Sequence, residues 1–308
     1  MLIVSNTHKI TERGLLNYLP RIVREAVYNL DVDEMEEIRL RRGLPVVIEF
    51  NHSSFYITEK GNLSTTPSGT VKVGKREIDE ALELITNSSV YAVADEIKNG
   101  FVTVNGGHRV GICGRAVTEN GKVSFIKDIS GLNYRFAHEI CGAADKIIDT
   151  VYNNERIKNT LIISPPQCGK TTLLRDLSRQ LSERKVKTGI VDERGEIAGM
   201  NNGAMGYDLG NNADVLDFCP KDEGMIMMLR SMSPDVIVTD EIGTRSDIVT
   251  VGKLINSGVS VITSIHARSR KEVMERSDIK RIGSLFQCFV TLSRRNGVGT
   301  IEEIYCND

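Results

Sequence analysis

The chain has 308 residues, 40% hydrophobic and 26% charged, with a net charge of −2. That length predicts two domains, and the composition is that of a globular protein without the overall positive field that draws nucleic acid or anionic lipid. Six cysteines, at 113, 141, 168, 219, 288 and 306, stand far apart with no C-x-x-C pair, which argues against a zinc ribbon or a disulfide framework and suits a reducing compartment.

The start, MLIVSNTHKITER, has an apolar run too short for a signal peptide, and no later run approaches a membrane span. The expected location is therefore the cytoplasm. Residues 1–140 read as a mixed α+β N-terminal domain. Ile22, Val23, Ala26, Val27 and Leu30 recur at helical spacing and predict a helix over 19–30. Glu37–Arg41 alternates polar and apolar, Arg42-Gly43-Leu44-Pro45 turns, and Val46–Phe50 returns, a strand–turn–strand. Ile78, Ala81, Leu82 and Ile85 predict a helix over 75–86, and Asn105-Gly106-Gly107 predicts a hairpin joining 101–104 to 109–115. His8, His52, His108 and His138 share no metal-ligand spacing and are read as structural.

Residues 141–158 turn polar and helical, as a connector would. From 159 to 308 strands alternate with helices: strands at 160–163, 187–192, 235–240 and 259–264, helices at 171–183, 222–232 and 246–256. The pattern predicts a mostly parallel sheet covered on both faces, an α/β domain, which a phosphate loop within it makes RecA-like. Alternation of Phe286, Cys288, Val290 and Leu292, a turn at Arg295-Asn296-Gly297 and a return over 298–305 predict a closing hairpin.

Within TLIISPPQCGKTT, residues 160–172, an apolar strand runs through a tight loop into a helix with Leu173, Leu174, Leu177 and Leu181 on one stripe. This is a phosphate-binding loop. Backbone N–H groups and the positive helix end surround phosphates, Lys170 reaches the outer ones, and the Thr171 hydroxyl ligates Mg²⁺. The predicted ATP-binding residues are Ser164, Pro165, Pro166, Gln167, Cys168, Gly169, Lys170, Thr171 and Thr172. Ser164 stands where the pattern G-x-x-x-x-G-K-[ST] has glycine. A serine forced to positive φ costs about 1 kcal/mol, so either the loop begins at an ordinary φ or nucleotide affinity is weakened.

The strand VIVTDE, 236–241, ends in two carboxylates at the sheet's carboxyl edge. Asp240 is the expected holder of the Mg²⁺ hydration shell and Glu241 the group that orients the attacking water or takes its proton. GIVDER, 189–194, ends the same way, which suggests an extra strand inserted beside the loop strand and makes Glu193 an auxiliary acid. His266, just past a strand on the same edge, is the candidate γ-phosphate sensor.

Together these segments resemble the hexameric ATPases of type II and type IV secretion and of type IV pili. The matching segments are the loop 164–171, an acidic box at 192–196, SPDVIVTDEI at 233–242 and a histidine box from Gly258 to His266. A closer resemblance, through EIRLRRGLPV, VNGGHRVGICGRAV, CGKTTLLRDLSR, IVDERGEIAG and VLDFCPKDEGMIMMLRSMSPDVIVTDEIGT, is to the stage III sporulation AA family of endospore-forming bacteria. It implies a cytosolic motor ATPase, a homo-hexamer, peripheral at the mother-cell membrane and partnered with other stage III membrane-complex proteins. It also implies that N-terminal arginines, at the matching positions Arg109, Arg115 and Arg135, bear on the nucleotide. Two further classes share the same core: a nucleic-acid-dependent ATPase, disfavoured by the acidic balance and the lack of Trp, and an ATP-binding scaffold with little turnover.

Overall fold

A computed structural model of the protein describes residues 14–87, 93–98, 100–119, 121–153, 155–200, 203–276 and 282–307. The apolar start MLIV and His8 lie outside them. The backbone divides into two compact units, the described parts of Met1–His138 with Gly199–Gly206, and Glu139–Ala198 with Tyr207–Asp308.

In the first unit a 3₁₀ turn, Leu15–Tyr18, precedes α1 (Arg21–Val27). The helix expected over 19–30 is shorter because Pro20, with an extended ψ of 148°, stands at its N-cap. Val23, Ala26 and Val27 face the core, whereas Ile22 faces out. The strands are β1 (Met35–Arg41), β2 (Val47–Phe50), β3 (Ser53–Ile57), β4 (Leu63–Ser64), β5 (Phe101–Val104), β6 (His108–Glu119) and β7 (Lys122–Arg135). They form one antiparallel sheet in the order β4-β3-β2-β1-β7-β6-β5. Helices α2 (Lys75–Ile85) and α3 (Ala94–Lys98) complete the unit. Alternation works as the sequence implies: Met35, Ile38 and Leu40 of β1 are buried, and α2 adds Ile78, Ala81 and Ile85 to the same core. The histidines have local partners here. His108 Nδ1 accepts from the Ala137 N–H at 3.0 Å, and His138 Nε2 lies 2.7 Å from the Met35 carbonyl.

The second unit carries α4 (Ile148–Val151), β8 (Thr160–Ser164), α5 (Lys170–Glu183), β9 (Thr188–Asp192), β10 (Ala213–Asp217), α6 (Lys221–Met232), β11 (Val236–Glu241), α7 (Arg245–Asn256), β12 (Ser260–His266), α8 (Arg270–Glu275), α9 (Ile282–Leu285), β13 (Cys288–Ser293) and β14 (Thr300–Cys306). The sheet order is β10-β9-β11-β12-β8-β13-β14, parallel except for the final hairpin. Strand β12 thus lies between the loop strand β8 and β11, the inserted strand that two Asp-Glu strand ends had suggested. Strands β8 and β9 are buried along their whole length, as a sheet covered on both faces requires. The sequence does not signal the edge strand β10, because Asp214 and Asp217 dilute its apolar run.

Residues 141–158, read as a connector, pack on α5. Ala144, Ile147, Ile148 and Val151 are buried, and the Ala144 N–H donates to buried Asp176 at 2.8 Å. The cysteine expectation also changes. Cys288 and Cys306, remote in sequence, sit directly opposite in the β13–β14 register and form a disulfide, while Cys113, Cys141, Cys168 and Cys219 form none.

Candidate functional site

Strand β8 delivers Ser164 to the carboxyl edge of the second unit's sheet, and α5 begins six residues later at Lys170. Ser164 is absent from the positive-φ positions, so the loop begins at an ordinary φ. The left-handed conformations fall instead on Gln167, at φ 59°, and on Gly169, the N-cap at φ 86°, where glycine adopts it without strain. Glycine is required at 169 for a second reason. A Cβ there would lie 3.2 Å from the Gly299 backbone, because the turn between β13 and β14 packs on the loop. Behind the loop, Leu173, Leu174, Leu177 and Leu181 are buried as the stripe predicted.

A cleft of about 400 Å³ opens at the head of α5. Pro166, Gln167, Gly169, Lys170, Thr171 and Thr172 line one side, and Asp240, Glu241, Ser264 and His266 come from the ends of β11 and β12. Ser164 and Cys168 turn inward. The Ser164 hydroxyl donates to the Pro165 carbonyl at 2.8 Å, and the Cys168 thiol to the Pro166 carbonyl at 3.5 Å. Neither these two nor Pro165 lines the cleft.

Lys170 Nζ donates to His266 Nδ1 at 2.6 Å, and His266 Nε2 meets Glu241 Oε2 at 2.6 Å. Those partners fit the neutral imidazole tautomer with its proton on Nε2. Register explains the meeting, since His266 is paired with Ser164 across β12 and β8. Burial pulls the Lys170 amine below its ordinary range despite the attraction of Glu241.

Asp240 and Glu241 both reach the cleft although successive strand residues point to opposite faces. The β11–β12 register breaks between Val238 and Glu241, and Thr263 Oγ1 donates to the Asp240 carbonyl at 2.6 Å within that break. Burial pushes the Asp240 carboxyl up to about 6, against the opposing pull of Lys221.

Three charged residues lining the cleft are not among the predicted site residues: Lys221, and Arg194 and Glu196 of the acidic box. Lys221 opens α6 after a strand whose acidic residues hid it. Arg194 and Glu196 ride on a loop held from two sides. Buried Asp192 accepts the N–H groups of Glu196, Ile197 and Ala198 at 2.8–2.9 Å, and Arg175 donates to the Ile197 and Glu196 carbonyls at 2.9 and 2.8 Å. Glu193, at the start of that loop, pairs with Lys221 at 2.8 Å. The predicted Arg109, Arg115 and Arg135 belong to the first unit's sheet. Arg135 pairs with Glu37 at 3.4 Å, Arg109 lies over the Phe101 ring, and Arg115 is opposite Lys127 in the β6–β7 ribbon.

The donors that would face a metal here, the Thr171 hydroxyl and the Asp240 carboxylate, are oxygens. That set fits Mg²⁺, which takes few protein ligands alongside phosphate and water.

A phosphate loop, an inserted strand and carboxylates at the sheet edge define a RecA-like P-loop fold. The chain is similar in structure to the Legionella pneumophila ATPase DotB, with TM-score 0.55 and 15% identity over 89% of this chain and 76% of that one. It is likewise similar to the pilus retraction motor PilT with bound ADP, with TM-score 0.56 and 15% identity over 88% of this chain and 76% of that one. The protein belongs to the family described as sporulation stage III, protein AA, whose model matches residues 8–308. Stage III sporulation protein AA of Bacillus subtilis (strain 168) is 42% identical to it over 282 residues, 89% of this chain and 88% of that protein.

Proposed function

We propose that this protein binds ATP with Mg²⁺ in the cleft and hydrolyses it, as the motor of a secretion-like membrane complex in endospore formation. The observation that carries the reading is the convergence of Lys170, Asp240, Glu241 and His266 on one cleft at the N-terminus of α5. The loop N–H groups and the helix end bind the phosphates, and Lys170 exchanges His266 for the outer phosphate oxygens. Thr171 and Asp240 would hold Mg²⁺, which would supply positive charge against the phosphates. Glu241 orients the attacking water and accepts its proton, while His266 holds the Glu241 carboxylate through Nε2–H and senses loss of the γ-phosphate through Lys170. Glu193 is an auxiliary acid. The family resemblance assigns further positive charge at the γ-phosphate to Arg109, Arg115 and Arg135.

Membership of the sporulation family supports partners among the other stage III membrane-complex proteins, and the resemblance to secretion motors supports a homo-hexameric ring. Among the described residues no helix is long and apolar enough to cross a membrane. The family resemblance puts attachment at the mother-cell membrane through those partners. Phosphate release from ATP, with Mg²⁺, by wild type and Glu241→Gln tests the reading. Turnover in the wild type that is lost in the variant supports it. Absence of turnover in an assembled wild type that binds ATP would reduce the protein to an ATP-binding scaffold.

A further inference from the structure

Lys221 is the first residue of α6, and its side chain is only 10% exposed at the wall of the cleft. Its ammonium donates to the Glu241 carbonyl at 2.6 Å and forms ion pairs with two carboxylate oxygens, Glu193 Oε2 at 2.8 Å and Asp240 Oδ1 at 3.1 Å, the latter buried without a hydrogen-bond partner. The acceptors come from the end of β11 and from the residue just after β9, so one side chain ties together two strand ends that adjoin in the sheet.

The helix is built to bring it there. A Cβ at Gly224 would stand 2.7 Å from Val191 Cγ1, so only glycine lets this first turn of α6 lie so close over β9. On the other side Asp222 accepts from the Ser246 hydroxyl of α7 at 2.6 Å, which fixes the turn laterally. Without the ammonium, Asp240 and Glu193 would be two carboxylates facing each other across a half-buried wall. They would repel and turn apart.

We infer that Lys221 is a positioning residue: its ammonium, shared between Asp240 and Glu193, fixes the Asp240 carboxylate in the orientation that receives Mg²⁺ together with the nucleotide. The inference rests on the nucleotide-site reading above and adds a residue to it. Lys170 and the loop bind phosphate without a metal, so loss of Lys221 acts on the metal-dependent part of affinity and leaves the rest.

The test is ATP binding by calorimetry, in EDTA and in Mg²⁺, for wild type, Lys221→Met, Lys221→Arg, Glu193→Gln and the double variant Lys221→Met/Glu193→Gln. In Lys221→Met the affinity in EDTA stays within about 2-fold of wild type, while the strengthening by Mg²⁺ falls at least about 10-fold. Lys221→Arg keeps the charge and recovers part of that strengthening. The double variant is no worse than Lys221→Met alone, since the repulsion has been removed with the charge. A wild-type response to Mg²⁺ in Lys221→Met overturns the inference, as does an equal loss with and without the metal. If Lys221→Met does not fold, Glu193→Gln decides. It should lower the Mg²⁺ response by disturbing the same pair, and an unchanged response overturns the inference. Failure of the wild type itself to bind ATP would instead overturn the site reading.

Discussion

Lys170 Nζ and His266 Nδ1 lie 2.6 Å apart, joining the start of α5 to the end of β12. Through Nε2 the same imidazole reaches Glu241 at 2.6 Å, so the amine proposed to contact phosphate and the carboxylate proposed to orient water share one intermediary. Nucleotide binding must therefore exchange the partners of Lys170. Because burial already holds that amine below its ordinary range, a triphosphate gives it better compensation than an imidazole does. Lys170→Ala should weaken ATP binding at least about 100-fold by calorimetry. Unchanged affinity would place the nucleotide elsewhere.

Glu241→Gln keeps the shape of the side chain and removes the base. Turnover should fall at least about 100-fold while ATP affinity stays within a few-fold, the signature of a contact made at the reaction step. His266→Ala should be milder, about 10-fold in kcat, because Glu241 loses its orienting partner and keeps its charge. If phosphate release by Glu241→Gln matches the wild type, Glu193 is the next residue to change.

Asp240 gives the site a dependence on pH. Its carboxyl is pushed by burial from 3.8 to about 6. In the folded protein it keeps a proton that the unfolded chain has already released. Its contribution to stability is therefore complete below about pH 4 and is lost as the pH rises through about 6. Metal binding has the opposite sign, because Mg²⁺ needs the carboxylate. The strengthening of ATP binding by Mg²⁺ should grow between about pH 5 and 7 with a midpoint near 6, and Asp240→Asn should flatten that curve. A curve that keeps its midpoint in the variant assigns the titration to another group.

The disulfide is open to direct measurement. Cys288 and Cys306 close a loop with a sequence separation of 18, and a link of that span stabilises by about 3 kcal/mol. Cys306→Ser should melt several degrees below wild type without reductant and match it in dithiothreitol. Equal melting without reductant would show that the pair stays reduced.

The parallel sheet and the loop could be read from the sequence because they rest on local signals: apolar runs of strand length, Gly-Lys-Thr at a helix start, and Asp-Glu at two strand ends. His266 could be placed because a single strand carries it to the sheet edge. Lys221 could not, since its role arises from three oxygens gathered from two strands, and the edge strand before it is diluted by Asp214 and Asp217. The presentation of Asp240 and Glu241 into one cleft was equally hidden. It depends on a register break between β11 and β12, a property of the pair of strands that neither sequence shows alone. The Cys288–Cys306 pair belongs to the same class, because long-range register decides it.

Asp192 tests whether the acidic box acts as a scaffold or in the chemistry. The sequence presents Asp192 and Glu193 as equals, but the structure separates them. Glu193 pairs with Lys221 at the cleft, whereas Asp192 is fully buried and spends both oxygens on three backbone N–H groups of residues 196–198. Arg175 completes the hold from the carbonyl side, with its guanidinium 3.4 Å over the Tyr207 ring. In Asp192→Asn an amide group must replace one carboxylate oxygen, so at least one buried N–H loses its acceptor, at a cost of about 1–3 kcal/mol. For a unit of this size that lowers the melting temperature by roughly 3–10 °C. The loop carrying Arg194 and Glu196 loosens with it, so kcat should fall in step with stability and recover on cooling, while ATP affinity, held by the phosphate loop, changes little. Thermal melting and turnover measured on the same variant over a range of temperatures separate the two roles. A variant that melts like wild type yet has lost its turnover would move Asp192 from the scaffold into the chemistry.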